Sequence, residues 1–457
     1  MVRFGSLADE PATFVLAGCR VIDPGSGADA SRDLAVVHGR LAAVDAAPPD
    51  AARIDGSGLV AAPAFCDLHT HLRQPGGEAA ETIASGTRAA AHGGYATVCA
   101  MPNTEPPLDE PARVAWVQLC AADAAARVRV VAAATVGRAG EQLTALGELA
   151  AMGVVGFSDD GSGIASARVA RSVMDYLAPL GLPLVEHAED PELAAGAVMR
   201  SGAAATRLGL AGWPASAELT MVERDIALAA ETGARLHLTH LSTGAALDAV
   251  RRAKERGLPI TCDVTPHHLV LTDAWVAGDR RFAWDGDDDL PEALDPQLAY
   301  DGRCRVNPPL PSRADALALL AGLNDGTVDA IATDHAPHPP ERKAVEFANA
   351  APGMVGLETA LSIGLAALAA GKLTLPRLLQ ALSVGPAGLI GEERSLRAGE
   401  LVDLVVFDPS ARWQVTADAL ASASSNTPLL DMELPGVVRL TVASGRITYA
   451  DGVAPLG

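Results

Sequence analysis

The sequence predicts an α/β fold, a parallel barrel of strand–helix units whose two β-rich ends pack together as a small accessory domain. Three observations carry that reading. Short apolar runs alternate with longer segments at helical spacing between about residues 66 and 371. Polar and ionisable residues recur where those apolar runs end, and in a parallel barrel such ends meet at one face. Outside that stretch the chain reads as strands separated by turns.

Taken in order, FVLAGCRVID, a turn at PGSG and DLAVVHGRLAAVD form the β-rich start, and GSGLVAAPAFCDLHTH carries a buried strand into a His-rich end. YATVCAM is followed by DEPARVAWVQLCAADAA, VRVVAAAT by GEQLTALGELAAMG, and VVGFSDD by SARVARSVMDYLAPLG. PLVEHA leads to MVERDIALAAETG, RLHLTHLS to AALDAVRRAKERG, and the runs PITCDVTPHH and VDAIATDHAPH complete the set. LVDLVVFDP, VVRLTVASG and RITYADG then return to strand character. The expected organisation is residues 1–60 and 386–457 in the accessory domain and 61–385 in the barrel. An acidic stretch, 273–303, interrupts the periodicity and is expected to be a solvated surface excursion, with an active-site edge or lid as the alternative.

A chain of 457 residues, 49% hydrophobic and 20% charged, has enough apolar surface to offset its conformational entropy. The formal charge of −21 argues against a nucleic-acid backbone or an anionic membrane as partner, while one or two placed arginines still suffice for a small anionic substrate. The cysteines, Cys19, Cys66, Cys99, Cys120, Cys262 and Cys304, show no CxxC spacing and are expected to be reduced thiols in or near the core of a cytoplasmic protein. No basic stretch with an apolar core opens the sequence, and no uninterrupted apolar run reaches the roughly 18 residues of a spanning helix.

His69 and His71 end an apolar strand, where period-two spacing turns two imidazoles to one side. Asp159 and Asp160, His187, His237 and His240, and Asp334, His335 and His338 occupy comparable strand ends. Imidazole and carboxylate are ligands for Zn²⁺, and a carboxylate beside the metal can exchange protons with water or substrate. Buried polar residues singly have structural explanations, but clusters at successive strand ends share none, so a divalent-metal hydrolase at the barrel mouth is the expectation. His92 near a helix end is expected to make a helix-terminal interaction, His267 and His268 to line or support the pocket, and His38 to be structural or exposed.

In sequence order, DLHTHLRQPG, MPNTEPP, GFSDDG, the EHAED segment, LTHLSTG, DVTPHHLVLTD, VNPPL, ATDHAPH and GLETAL resemble the longer-chain bacterial dihydroorotases of the amidohydrolase superfamily, over about residues 10–450. The resemblance implies a distorted (β/α)8 TIM-like barrel with two Zn²⁺ per chain. It makes His69, His71, Asp160, His187, His240 and Asp334 the metal residues, with Asp159 the competitor of Asp160, and Asp334 the catalytic acid/base. It places Arg73, Asn103 and His338 on the substrate carboxylate and Asn307 on the pyrimidine ring. The implied reaction is the reversible cyclisation of N-carbamoyl-L-aspartate to L-dihydroorotate and water. A homodimer and an association with aspartate transcarbamoylase belong to the same resemblance, without a residue pattern that argues for them. The chain departs from the family pattern at Gln74, at Gly77 and in NPPLPSR, where an acid, an aromatic and an immediately following arginine are usual. The competing readings are an allantoinase or hydantoinase, many of which bridge their metals with a carboxylated lysine, and a catalytically silent scaffold.

Overall fold

The computed structural model describes residues 2–285, 295, 297–453 and the backbone of 455 and 456. Eight parallel strands form one sheet: β1 (Phe65–Thr70), β2 (Tyr95–Ala100), β3 (Arg127–Ala133), β4 (Gly156–Ser158), β5 (Leu184–Glu186), β6 (Leu236–Leu238), β7 (Ile260–Val264) and β8 (Ala330–Ile331). A parallel bridge between Thr70 and His335 brings the two edges together, so the sheet closes as a barrel. Strands β1 and β2 are buried along their whole length, as expected where helices cover a parallel sheet. Leu68, Cys99, Val131, Val185 and Ala330, from five different strands, pack into one cluster that fills the interior.

Each strand is followed by a helix: α1 (Ile83–His92), α2 (Pro111–Cys120), α3 (Leu146–Ala151), α4 (Ala167–Leu177), α5 (Ala215–Thr232), α6 (Gly244–Glu255), α7 (Arg313–Asp325) and α8 (Ala360–Ala369). Local chemistry sets several of their starts. Thr82 and Ser85 form a reciprocal capping box on α1, and the hydroxyls of Ser166, Thr243 and Ser312 cap α4, α6 and α7.

A second, ten-stranded sheet draws on both ends of the chain. Strand Phe14–Asp23 pairs antiparallel with Ala28–Val37, and Val60–Pro63 pairs antiparallel with Leu404–Gln414, which pairs in turn with Glu433–Ala443. Leu16, Val36, Leu404, Val406 and Val442 are buried in its own core. Charge ties this sheet to the barrel: Asp403 accepts from Arg127 of β3 at 2.9 and 2.6 Å, from the Ser444 N–H at 2.6 Å and from the buried Arg394.

Two expectations change. The flanks of the acidic stretch are packed, because Trp275, Val276, Ala277 and Ala283 are buried and Trp275 stacks on Phe282 at 6.1 Å. Residues 286–294 and 296, which hold most of its acidic run, lie outside the described residues. Five cysteines are buried, but Cys120 at the end of α2 is exposed, since only Val114 and Val117 of that helix face inward. No helix among the described residues is long and apolar enough to cross a membrane.

Removing the Asp403 carboxylate would leave the buried Arg394 and its neighbour Arg127 sharing one anion, Glu392, in place of two. Asp403→Ala should therefore lower unfolding stability by about 3 kcal/mol, read as a fall in the urea midpoint.

Candidate metal centre and active site

The strand ends deliver the polar residues to one point. His69 lies in β1 and His71 one residue beyond it, Asp160 follows β4, His187 follows β5, His240 follows β6 and Asp334 follows β8. All six are buried. Asp160 sits at the centre: its Oδ1 is 3.3 Å from His69 Nε2, 3.5 Å from His240 Nε2 and 3.7 Å from His187 Nδ1, and its Oδ2 is 3.6 Å from His71 Nε2. Asp334 Oδ1 lies 2.9 Å from His71 Nε2 and 3.6 Å from His69 Nε2. His187 Nδ1 and His240 Nε2 are 3.0 Å apart.

Hydrogen bonding behind these groups fixes which atoms face the centre. Thr239 Oγ1 donates to Asp263, so at 2.8 Å it accepts from His69 Nδ1–H and leaves Nε2 as the nitrogen turned to the centre. Asn103 donates its amide N–H to Asp160 Oδ2 at 3.3 Å, so its oxygen accepts from His71 Nδ1–H at 2.8 Å. Histidine ligands to metals are held in this way, with the second ring nitrogen spent on a fixed acceptor. His69 Nε2 and Asp160 Oδ1 are buried and have no hydrogen-bond partner among the described residues. Two orphaned atoms at the focus of imidazoles and carboxylates are what a divalent cation would satisfy, and the two tightest donor triads are His69–His71–Asp334 and His69–Asp160–His240. The residues present fit the metal.

Electrostatics agree. Burial alone would lower the His69 and His187 pKa values, but Asp160, joined at His187 by Glu189, outweighs it and pushes them to about 9 and about 10. Burial would raise the Asp334 carboxyl, yet the His71 hydrogen bond and the neighbouring imidazoles hold it well below the ordinary carboxylate range. His240, Asp334 and Arg73 all adopt left-handed backbone, with φ of 41°, 48° and 61°. For residues with a Cβ this costs about 1–3 kcal/mol each and concentrates at functional sites.

Asp159 turns away from the centre and accepts from the Ala134 and Thr135 N–H groups and the Thr135 hydroxyl. His237 binds Asp263 and Thr261 inside the barrel. His335 bonds Glu81, and His268 bonds the Pro308 carbonyl behind the NPP turn. His267 is buried, with Nε2 unpartnered among the described residues. The His92 ring pairs with Glu358 and packs on Tyr449, and His38 is exposed in a turn.

Arg73 lies at the rim, its Nε bonded to the Pro337 carbonyl at 3.1 Å and one terminal nitrogen 3.4 Å from His338 Nε2. His338 Nε2 is also 2.8 Å from the Pro352 carbonyl, so it carries the proton, and burial holds the ring neutral with a pKa of about 3. Asn307 reaches His187 Nε2 and Glu189 Oε1, each at 3.4 Å. Two departures from the family pattern are local fits. The Gln74 side chain accepts from the Ile83 N–H, and a Cβ on Gly77 would stand 2.9 Å from the Arg73 carbonyl oxygen. Thr239, Asp263 and Glu189 were not singled out from sequence. The legible signals were EHAE, which puts Glu189 two residues from His187, and the Thr beside His240 in LTHLS.

A family model described as Dihydro-orotase-like matches residues 58–246. The chain is 46% identical to a protein named Dihydroorotase from Anaeromyxobacter sp. (strain K), over 96% of this chain and 98% of that one. It is 40% identical to a Dihydroorotase from Geobacter sp. (strain M21), over 96% and 99%. Among solved structures it superposes on an L-hydantoinase (dihydropyrimidinase) from Arthrobacter aurescens with a TM-score of 0.79 at 22% identity, covering 97% of both chains. The dihydropyrimidinase from Brevibacillus agri NCHU1002 gives 0.78 at 20%, covering 95% of this chain and 94% of that one. At those identities the structures speak for the fold.

Two outcomes follow for metal binding. Thr239→Val, which deletes the acceptor behind His69, should weaken divalent-metal affinity roughly 10–100-fold in a competition titration. Because protonated His69 and His187 must lose protons to bind metal, uptake at pH 7 should release protons, and affinity should climb with pH until about 10.

Proposed function

The chain belongs to the dihydroorotase family, and from that premise we propose how its own residues carry out the reaction. The activity is the reversible cyclisation of N-carbamoyl-L-aspartate to L-dihydroorotate with loss of water, in pyrimidine biosynthesis. The barrel-mouth His/Asp cluster is a divalent-metal site. The observation that carries the residue-level reading is Asp160 Oδ1, a buried oxygen with no hydrogen-bond partner among the described residues and three imidazole nitrogens within 3.7 Å.

His69, His71, Asp160, His187, His240 and Asp334 would hold the metal, and four imidazoles with two carboxylates support zinc at two ions per chain. Bound there, the metal would lower the pKa of water and stabilise charge developing on the amide carbonyl. Arg73, Asn103 and His338 grip the substrate carboxylate and Asn307 the ring, which fixes the amide carbonyl against the centre. The His338 ring N–H is spent on the Pro352 carbonyl, so this ring turns or gains a proton to receive the carboxylate. Asp334 is ionised and ready to accept. In ring opening it takes the proton from the attacking water and delivers it to the leaving ring nitrogen. In cyclisation it removes a ureido nitrogen proton and returns it to the departing oxygen. A cytoplasmic setting, a homodimer and an association with aspartate transcarbamoylase rest on the family resemblance alone.

Metal-loaded protein should consume L-dihydroorotate in preference to hydantoin and allantoin, and lose turnover on chelation; turnover of hydantoin without L-dihydroorotate would contradict the assignment. Asp334→Asn should cut kcat by about 10²–10⁴-fold. Arg73→Ala should raise KM for L-dihydroorotate by about 10–100-fold with metal content unchanged, since a hydrogen bond to a charged group is lost.

A further inference from the structure

The connection between the two C-terminal strands Leu404–Gln414 and Glu433–Ala443 leaves the accessory sheet and crosses to the barrel mouth. Residues 421–426 of this strap make bond after bond to the segments that carry the active site. The N–H groups of Ala421 and Ser422 donate to Glu358 at 2.6 and 3.2 Å. The Ser422 hydroxyl and the Ala423 N–H donate to Glu81, the carboxylate that also binds His335, next to Asp334. The Ser424 hydroxyl donates to the Ala80 carbonyl at 2.7 Å.

Asn426, within the strap, spans three partners. Its Oδ1 accepts from the His338 N–H at 3.0 Å, and its Nδ2 donates to the carbonyls of Ala336 at 3.0 Å and Gly353 at 3.1 Å. Its own carbonyl accepts from the Val355 N–H at 3.2 Å. One buried side chain thus pins the turn from Ala336 to His338 to the neighbouring 353–355 segment. Pro352, which accepts from the His338 ring, immediately precedes that segment. Beyond these bonds the turn borders a cavity of about 380 Å³ lined by His338, Asn426, Ser425, Lys343 and Arg303. Close packing does not hold His338 from that side, so its place depends on directed bonds.

We propose that Asn426 is a positioning residue for substrate binding: through the Ala336–His338 turn it holds His338 where the substrate carboxylate is received, and the accessory sheet thereby supplies part of the active site. The proposal rests on the reading that His338 binds that carboxylate. Asn426 does not touch substrate in this account. Its loss should appear in KM, because a misplaced His338 weakens binding, while Asp334 and the metal residues stay in place on their own strand ends.

The test is the kinetics of L-dihydroorotate hydrolysis by metal-replete Asn426→Ala, His338→Ala and the double variant, each checked for metal content and thermal unfolding. Asn426→Ala should raise KM about tenfold, the equivalent of one or two lost hydrogen bonds, with kcat within about threefold of the parent. In the His338→Ala background the same change should add less than about twofold, because both changes act through one group. A general loosening of the fold would instead add its full cost in both backgrounds. Should Asn426→Ala not fold, Asn426→Ser is read in its place, since a serine hydroxyl cannot span the three partners. An unchanged KM in Asn426→Ala beside a raised one in His338→Ala overturns the proposal alone, as does a cost that persists undiminished in the double variant. An unchanged KM in His338→Ala overturns the carboxylate reading beneath it.

Discussion

Everything at the barrel mouth is organised by one carboxylate, Asp160, buried among His69, His71, His187 and His240 with one oxygen left without a hydrogen-bond partner among the described residues. Such a group is stable in a low-dielectric interior only if cations surround it. Its charge favours the protonated forms of the nearby imidazoles, so His69 and, with Glu189 adding to the effect, His187 are pushed well above the ordinary histidine value. A divalent ion supplies the positive charge better and frees the protons. The same requirement explains the supports behind the ligands. Thr239 and Asn103 fix the tautomers of His69 and His71, and Asp263 anchors the Thr239 hydroxyl and the His240 N–H together.

Holding these groups at one point has a conformational cost that the rest of the fold offsets. His240 and Asp334 reach the centre only because their backbones turn left-handed past the ends of β6 and β8, and Arg73 does the same after β1. The barrel closure at Thr70 and His335 and the His335–Glu81 bond brace the Asp334 turn, while Asn426 holds the His338 segment beyond it. The accessory sheet, from this viewpoint, is more than a cover for the apolar barrel. It sends a strap to the mouth and is itself clamped to β3 through Asp403.

Much of this was legible in the sequence, for identifiable reasons. Apolar runs ending in His or Asp announce strand ends, and barrel topology makes distant strand ends neighbours, so His69, His71, His187 and Asp334 could be singled out together. Choosing between adjacent candidates could not be done by parity. His237 is in β6 and points into the barrel, whereas His240 lies past the strand in a left-handed turn where period-two alternation has ended. The residues alone left Asp159 and Asp160 level and the family resemblance favoured Asp160; in the fold Thr135, from a different strand end, claims Asp159. Asn426 gave no signal, since its partners lie 73 to 90 residues away in a segment with no chemistry-bearing pattern of its own. The packed flanks of the acidic stretch were likewise hidden, because Trp275 and Phe282 find their partners only through the fold.

The most direct test of the account is anomalous diffraction from crystals of the zinc-loaded protein, collected on either side of the zinc absorption edge. The account expects density within coordination distance, about 2.0–2.2 Å, of Asp160 and of the unprotonated nitrogens of His69 and His71, with Asp159 uninvolved. Zinc bound elsewhere with His69 Nε2 and Asp160 Oδ1 left bare, or ligation through Asp159 in place of Asp160, would contradict it.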